Sequence, residues 1–330
     1  MIPGQKVKIP LLATARHTRR LGPRANGVQV NLSQAGRLTF GIVTDEGEFA
    51  AKARALYQGQ GIVGLDFGFC TMFGTSQGQL LGRNWLVRLQ KYDRQLIQIA
   101  ARQQRRGRKP RDSARYRAFV QDVRGFIRTE VNRVINRLVK DRQPAALKLE
   151  RMDFRNARLS RRMNAILRNC GRRVLKEKLA DLKDRHGISS SEVPAPYTSQ
   201  ECSRCHYVDK KNRRTQARFE CLWCGHQQHA DLSGASIIGQ RRAPPLGSVF
   251  PGKAKILGQL VSDFMIRHPL SERRPGLSSF CRSGNPGIPA DPRSDNPYFQ
   301  GAIHRARLPA ANGPATKSSR PQAMVACETT

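Results

Sequence analysis

Acidic residues are scarce in this chain. Only 24 Asp plus Glu stand against 59 Lys plus Arg in 330 residues, a formal charge of +35. So one-sided a balance needs a polyanion or dense counter-ion binding to be tolerated. Nucleic acid is the first candidate partner, and an anionic membrane surface is the rival. Long apolar runs are missing as well. No stretch approaches the roughly 20 residues a helix needs to cross a bilayer. The opening MIPGQKVKIPLLATARHTRR has no apolar segment followed by a small-residue cleavage site. The reading is a cytoplasmic protein without a membrane partner. Cysteine is sparse too: eight residues are too few for a secreted disulfide scaffold. In a reducing compartment, closely spaced pairs favour metal.

Four of those cysteines are so spaced. Cys202, Cys205, Cys221 and Cys224 form C-x2-C-x15-C-x2-C, in which each short loop offers two thiolates to one side of a tetrahedral zinc ion. Four protein ligands leave no open position, so the expected zinc is structural. Gly225 suits the tight turn after the second pair. His206, His226 and His229 are expected at the surface or on nucleic acid rather than on the metal. Cys70, Cys170, Cys281 and Cys327 are expected to be free thiols.

Patterning divides the chain. GVQVNLSQAGRLTFGIV alternates around a Gly-containing turn and predicts a hairpin in a small β-rich segment. GIVGLDFGFCTMFGTSQGQLLGRNW predicts a three-stranded antiparallel meander with Asp66 inside its first strand. Trp85, Leu89, Tyr92, Leu96 and Ile99 recur with helical spacing, and GRKP at 107–110 ends that helix. Phe119, Val123, Phe126, Ile127, Val131, Val134, Leu138 and Val139 mark a second helix. Residues 86–142 hold 17 Lys plus Arg against 5 acidic residues. A solvated face is the ordinary reading of such charge. The sign bias favours phosphate contact, with Arg102, Arg105, Arg106, Arg108, Lys109 and Arg111 as candidates. AALKLE predicts a buried strand ending in Glu150. A long helix follows over roughly 160–186, stopped by Gly187. EVPAPYTSQ predicts a strand and a loop, and HADLSGASIIGQ a last helix opened by Asp231. Residues 241–330 hold 12 of the 19 prolines and are expected to be mostly disordered, although KAKILGQLVSDFMIR fits a short helix.

Three carboxylates stand out. Asp231 alone would read as a helix cap, and Glu150 as an ordinary strand end. Asp66 sits inside an apolar strand, where a carboxylate is costly unless paired or metal-bound. On this order of strands and helices the three can converge. Three carboxylates suit two-metal phosphodiester hydrolysis, and hard oxygen ligands favour Mg or Mn.

GIVGLDFG, ALKLERMDF, LSRRMNAILRNCGRRVLKEKLADLKDRHGI, TSQECSRCHYVDKKNRRTQARFECLWCGH and HADLSGASII together resemble the TnpB (OrfB) family of insertion-sequence proteins, relatives of type V CRISPR effector nucleases. The resemblance spans about residues 58–240. It implies an α/β, RNase H-like (RuvC) mixed sheet with flanking helices and an inserted four-Cys zinc ribbon, with Asp66, Glu150 and Asp231 as catalytic residues and ligands of Mg or Mn. The implied division is a partial wedge-like β segment at 1–57, a RuvC-like core at 58–197, the ribbon at 198–229, a third RuvC motif at 230–240 and the tail at 241–330. The implied activity is RNA-guided DNA cleavage, with target DNA and a guide-like RNA as partners. Arg151 and Met152 after Glu150, and Ser233 after Asp231, depart from the family's usual residues, and only about 60 residues precede the first motif. A non-cleaving nucleic-acid-binding remnant or regulator, and a transposase-associated accessory protein, are the other readings.

Overall fold

Val63 and Leu65 of IVGLDF and Leu147 and Leu149 of ALKLE are buried at a spacing of two, the signature of strands that turn one face to a core. A computed structural model of the chain describes residues 24–32, 38–45, 47–151, 154–245, 248–270 and 291–307. Its centre is a five-stranded mixed sheet built from β3 (Ile62–Phe67), β4 (Thr71–Thr75), β5 (Leu80–Arg83), β6 (Ala146–Glu150) and β7 (Ser189–Val193), in the order β5-β4-β3-β6-β7. The first three form the expected antiparallel meander, and β6 and β7 run parallel to β3. This is the mixed sheet of an RNase H-like fold. Parallel neighbours need long crossovers, and helices supply both.

The first crossover is a helical pair, α2 (Trp85–Arg105) and α3 (Ala114–Arg142). Trp85, Leu89, Leu96 and Ala100 on α2 face Val123, Ile127, Val131, Ile135 and Leu138 on α3, all nearly inaccessible, and together they cover Val63, Leu65, Leu147 and Leu149 of the sheet. Each such aliphatic side chain contributes about 1.5–3 kcal/mol by leaving water. The helices separate at 106–113, where Pro110 sits in a short 3-10 turn and the Ser113 hydroxyl accepts from the Tyr116 N–H to start α3. Ile99 is only half-buried. Asp93 takes the intervening place on the buried stripe, accepting from the N–H and hydroxyl of Ser160 at 2.6 and 2.5 Å.

The second crossover runs from Ser160 to Gly187. It comprises α4 (Arg161–Ile166), one π-type turn (Leu167–Gly171) and α5 (Arg172–His186). The π turn adds a residue where the Phe154 ring lies against Gly171, and a Cβ there would meet the ring at 2.9 Å. Gly187 ends the rod with φ +70°, as expected for a helix stop.

On the opposite face of the sheet lies α6 (Ala230–Gln240). It approaches so closely that a Cβ on Gly64 would strike the backbone of Ala235 and Gly239. Lys148, pointing to this face of β6, donates to the carbonyls of Gly239 and Arg241 at 3.0 and 2.7 Å and secures the helix's C-terminal end.

The expected hairpin is present as β1 (Arg24–Leu32) and β2 (Leu38–Thr44), paired with Val30 opposite Phe40; its turn lies outside the described residues. After the hairpin, residues 47–56 form α1 (Gly47–Leu56). The Asp45 carboxylate accepts from the Gly47 N–H at 2.9 Å at the start of that helix. The strand expected in EVPAPYTSQ lies earlier, at Ser189–Val193, and 194–201 is turns.

The ribbon hairpin, β8 (Arg218–Glu220) with β9 (Gln227–His229), leads directly into α6. Much of the tail falls outside the described residues. Within it, α7 (Lys253–Arg267) forms where a short helix fitted, and residues 291–299 lead into α8 (Gln300–Arg307). These are ordered because they share a core with the ribbon: Val261, Phe264, Phe299 and Ile303 pack on Tyr207, Phe219 and Trp223. Arg293, 1% exposed, lies 4.6 Å over the Trp223 ring and pairs with Asp291 at 2.6 Å. The described residues include no helix long and apolar enough to cross a membrane.

Candidate active site and metal centre

Asp66 and Glu150 meet through strand register. Leu65 of β3 pairs with Leu149 of β6 in parallel, so the next residue of each strand stands side by side at the strands' carboxyl ends. Both point away from the helical core, toward α6. The third carboxylate arrives from above. Asp231 lies in the first turn of α6, whose N-terminus is capped by the His229 Nδ1 accepting from the Asp231 N–H at 3.3 Å. Small residues make room for it. A Cβ on Gly234 would stand 2.7 Å from the Asp66 Oδ2, and one on Gly74 would stand 2.5 Å from the Asp231 carbonyl. The structure thus brings Asp66, Glu150 and Asp231 to the same end of the sheet, near enough for Glu150 and Asp231 to act electrostatically on Asp66.

Their electrostatics are those of crowded acids. Burial, followed by Glu150 and then Asp231, pushes the Asp66 carboxyl up to about 8, while Arg213 and the Phe67 N–H work in the opposite direction. Burial also raises Glu150; a hydrogen bond from the Thr198 hydroxyl and the charge of Arg241 offset part of this. Asp231 is 8% exposed and pairs with Arg213 at 3.3 Å. Positive charge relieves crowded acids, and oxygen donors are the type that Mg or Mn takes, although oxygens of the three carboxylates do not all lie within 4.8 Å of one another.

Thr198, Arg213 and Arg241 were not singled out from the sequence. Thr198 and Arg213 are ordinary loop residues whose partners lie 48 and 18 positions away. Arg241 is nearly buried. It donates to the carbonyls of Pro194 and Pro196 at 2.6 and 2.7 Å and pairs with Glu201 at 2.8 Å. It thereby fixes the loop that carries Thr198. Glu201 also meets His206 Nδ1 at 2.8 Å.

The four spaced cysteines form a second centre, about which β8, β9 and the 202–206 turn fold. Their Sγ atoms all lie within 4.8 Å of one another, with Cys202 to Cys224 at 3.7 Å and Cys205 to Cys221 at 3.5 Å. Those separations are far beyond a disulfide bond of about 2.05 Å. They suit thiolates around one tetrahedral ion, for which ligand bonds of about 2.3 Å place sulfurs roughly 3.8 Å apart. The two knuckles match. The His206 N–H donates to the Cys202 carbonyl and the Gly225 N–H to the Cys221 carbonyl, and both residues have positive φ, 64° and 69°. The residues present fit zinc. Among the described residues these cysteines are the only such metal-holding group; His206 and His229 are engaged with Glu201 and the α6 terminus. Cys70 and Cys170 are free thiols, and Cys281 and Cys327 lie outside the described residues.

Arg102, Arg105, Arg106, Arg108, Lys109 and Arg111 are all exposed at the turn joining α2 to α3. They form a cationic tip on the core.

Comparison with known proteins bears on the ribbon end of the chain. Residues 173–238 match the family model described as Cas12f1-like, TNB domain. The chain is 44% identical over 52 residues to a CRISPR-associated endodeoxyribonuclease Cas12f1 of Syntrophomonas palmitatica, covering 16% of this chain and 10% of that protein. It is 38% identical over 64 residues to a Cas12f1 of Sulfoacidibacillus thermotolerans, covering 19% and 15%. Thus the matches span no more than about a sixth of either relative. Among solved structures, a Cas12f1–sgRNA–target DNA complex is similar over 64% of this chain and 55% of that one, at 15% identity and TM-score 0.38. The mini-RNA-guided endonuclease CRISPR-Cas_phi3 is similar over 41% and 22%, at 20% identity and TM-score 0.30. The segment that matches the family model contains Cys202, Cys205, Cys221, Cys224 and Asp231, so the likeness to a Cas12f1-like TNB domain is a likeness over the ribbon and the start of α6.

Proposed function

We propose that the chain is a TnpB-like, transposon-encoded, RNA-guided DNA endonuclease that hydrolyses phosphodiesters at Asp66, Glu150 and Asp231 with Mg or Mn. The observation that carries this reading is the convergence of three carboxylates at the ends of β3 and β6 and the start of α6. When bound there, divalent metal supplies charge stabilisation for the phosphodiester and a more acidic water. The chain's own groups do the rest. Thr198 holds one oxygen of Glu150 and so limits the rotations open to that carboxylate. Arg241 fixes the Thr198 loop, and Arg213 orients Asp231 while partly balancing the acidic cluster.

In this proposal residues 58–197 and 230–240 form the nuclease core and residues 198–229 a zinc ribbon that folds around structural zinc. The preceding 1–57 form a partial wedge-like segment. The cationic tip at 102–111 holds nucleic-acid backbone, and base pairing by a guide-like RNA selects the target DNA. The Cas12f1 likeness supports nucleic-acid partners of this kind. The test is cleavage by the purified chain with its co-purified RNA. Mg-dependent cutting of DNA that matches the RNA, and sparing of a scrambled target, is expected. Guide-independent cutting would contradict the RNA-guided part of the reading. Binding without cutting would favour the non-cleaving regulator.

A further inference from the structure

A lysine stands in the middle of β6, on the face that carries Glu150. Lys148 lies two residues before Glu150, so both point toward α6. Its neighbours in the sheet are small, Gly64 of β3 on one side and Ser191 of β7 on the other. A part-buried ammonium is costly unless it finds partners. Lys148 finds them at the C-terminal end of α6, where it donates to the carbonyls of Gly239 and Arg241 at 3.0 and 2.7 Å. A helix leaves its last carbonyls without internal partners, and positive charge is favourable at that end.

The seat of α6 on the sheet does little to fix it lengthwise. A Cβ on Gly64 would strike Ala235 and Gly239, and one on Gly74 would stand 2.5 Å from the Asp231 carbonyl. At this contact backbone meets backbone, without the side-chain ridges that set one element along another. The N-terminal end is joined to the ribbon: β9 ends at His229 and α6 begins at Ala230. Movement of the ribbon therefore reaches Asp231 directly unless the helix is held from its other end. Lys148 is that hold, and it grips a residue that is fixed a second time. The Arg241 guanidinium donates to the carbonyls of Pro194 and Pro196 and to the Glu201 carboxylate, in the loop whose Thr198 hydroxyl reaches Glu150. Lys148 thus ties the strand of Glu150 to the helix of Asp231 and to the loop that steadies Glu150. The tie matters because oxygens of the three carboxylates do not all lie within 4.8 Å of one another. One residue of travel along a helix is about 1.5 Å, against a tolerance of about 0.2 Å in a metal–ligand distance.

We propose that Lys148 is a positioning residue: it sets how far α6 reaches along the sheet, and so where Asp231 stands relative to Asp66 and Glu150. The proposal rests on the nuclease reading only for the divalent metal that gains by this placement.

The test uses the full zinc-loaded chain without nucleic acid or magnesium and has two readouts. The first is manganese binding, followed by the EPR signal of free Mn²⁺, with the part abolished in Asp66→Ala taken as the site. Lys148→Met keeps the length of the side chain and loses both hydrogen bonds. It should weaken that binding about tenfold or more, as removal of a group that orients metal ligands does, at unchanged zinc content. Lys148→Arg, which keeps donors at the same place, should bind Mn²⁺ close to the natural chain. Leu147→Ala, which opens the buried opposite face of β6, should lose stability and keep its Mn²⁺ affinity; an equal loss there would make Lys148 merely structural and overturn the proposal. The second readout needs no metal. Amide exchange of α6 should be about tenfold faster in Lys148→Met, with α3 unchanged, and exchange at the natural rate overturns the proposal. The hold and the metal site fail separately. Mn²⁺ bound equally by the natural chain and Lys148→Met removes the positioning role and leaves the metal site standing. Faster exchange in a chain whose Mn²⁺ binding is no different from that of Asp66→Ala keeps the hold on α6 and removes the metal site.

Discussion

Replacing Asp66 with Asn should make the magnesium-free chain more stable at high pH. The Asp66 carboxyl ionises near pH 3.8 when unfolded and is held at about 8 when folded. The folded state therefore keeps a proton that the unfolded state gives up. This contribution to stability is fully present below about pH 4 and is lost as pH rises through 8. The full difference corresponds to a ceiling on the order of 6 kcal/mol, at about 1.4 kcal/mol for each tenfold change; water reaching the half-buried carboxylate reduces what is observed to a few kcal/mol. Glu150 is raised as well and adds a dependence of the same sign. Urea unfolding of the zinc-loaded chain without added magnesium, at steps from about pH 5 to about pH 8.5, reads this directly. The natural chain should lose stability across that window, and Asp66→Asn should lose less and be the more stable of the two at its upper end. Magnesium should stabilise the natural chain more at the upper end than at the lower, because ligands must shed their protons to bind metal. Parallel profiles for the two chains would refute the reasoning.

Metal analysis should find about one zinc per chain, and Cys221→Ser should lose it and unfold the ribbon, because structural zinc contributes folding energy directly; normal folding without zinc would exclude the ribbon as a metal site. Replacing Arg102, Arg105, Arg106 and Arg108 with Gln should flatten the salt dependence of duplex binding by up to about 3.6 in log–log slope, at about 0.9 per phosphate, and an unchanged slope would assign backbone contact elsewhere. Phe299→Ala should cost about 3–5 kcal/mol and loosen zinc retention, because Phe299 is inaccessible to solvent and stacks on Tyr207 at 5.2 Å; zinc release at the natural rate would show that the tail does not support the ribbon.

Periodic apolar residues and metal-ligand spacing made much of this architecture legible. The meander, the α2–α3 pair, the 160–187 rod with its capping Ser160 and terminating Gly187, and the four-cysteine cluster all follow from local patterns that tertiary packing reinforces. Other features have no local signal. Asp93 occupies a core position on α2 but is polar, and its burial makes sense only beside Ser160. β7 reads SSSEV and lacks the apolar alternation that marks a strand. Residues 47–56 contain no fully buried side chain, so helix α1 shows no core-facing stripe. The order in 291–307 depends on Tyr207 and Trp223, some 70 to 90 residues earlier. In the candidate site Asp66 could be picked out, because a lone acid in an apolar strand is expensive, whereas Glu150 and Asp231 taken singly read as a strand end and a helix cap. Their partners Thr198, Arg213 and Arg241 could not, because loops bring them there.

The central claim is that Asp66, Glu150 and Asp231 act as one metal-dependent site, distinct from the surfaces that hold nucleic acid. The measurement that tests it most directly is cleavage beside binding, on the same preparations, for the natural chain and Asp66→Ala with co-purified RNA as guide. The substitution removes a carboxylate at the end of β3 and no phosphate contact. The account predicts that the natural chain cuts with magnesium, that Asp66→Ala does not, and that both bind target DNA with the same affinity and salt slope. Cleavage that persists in Asp66→Ala would contradict it.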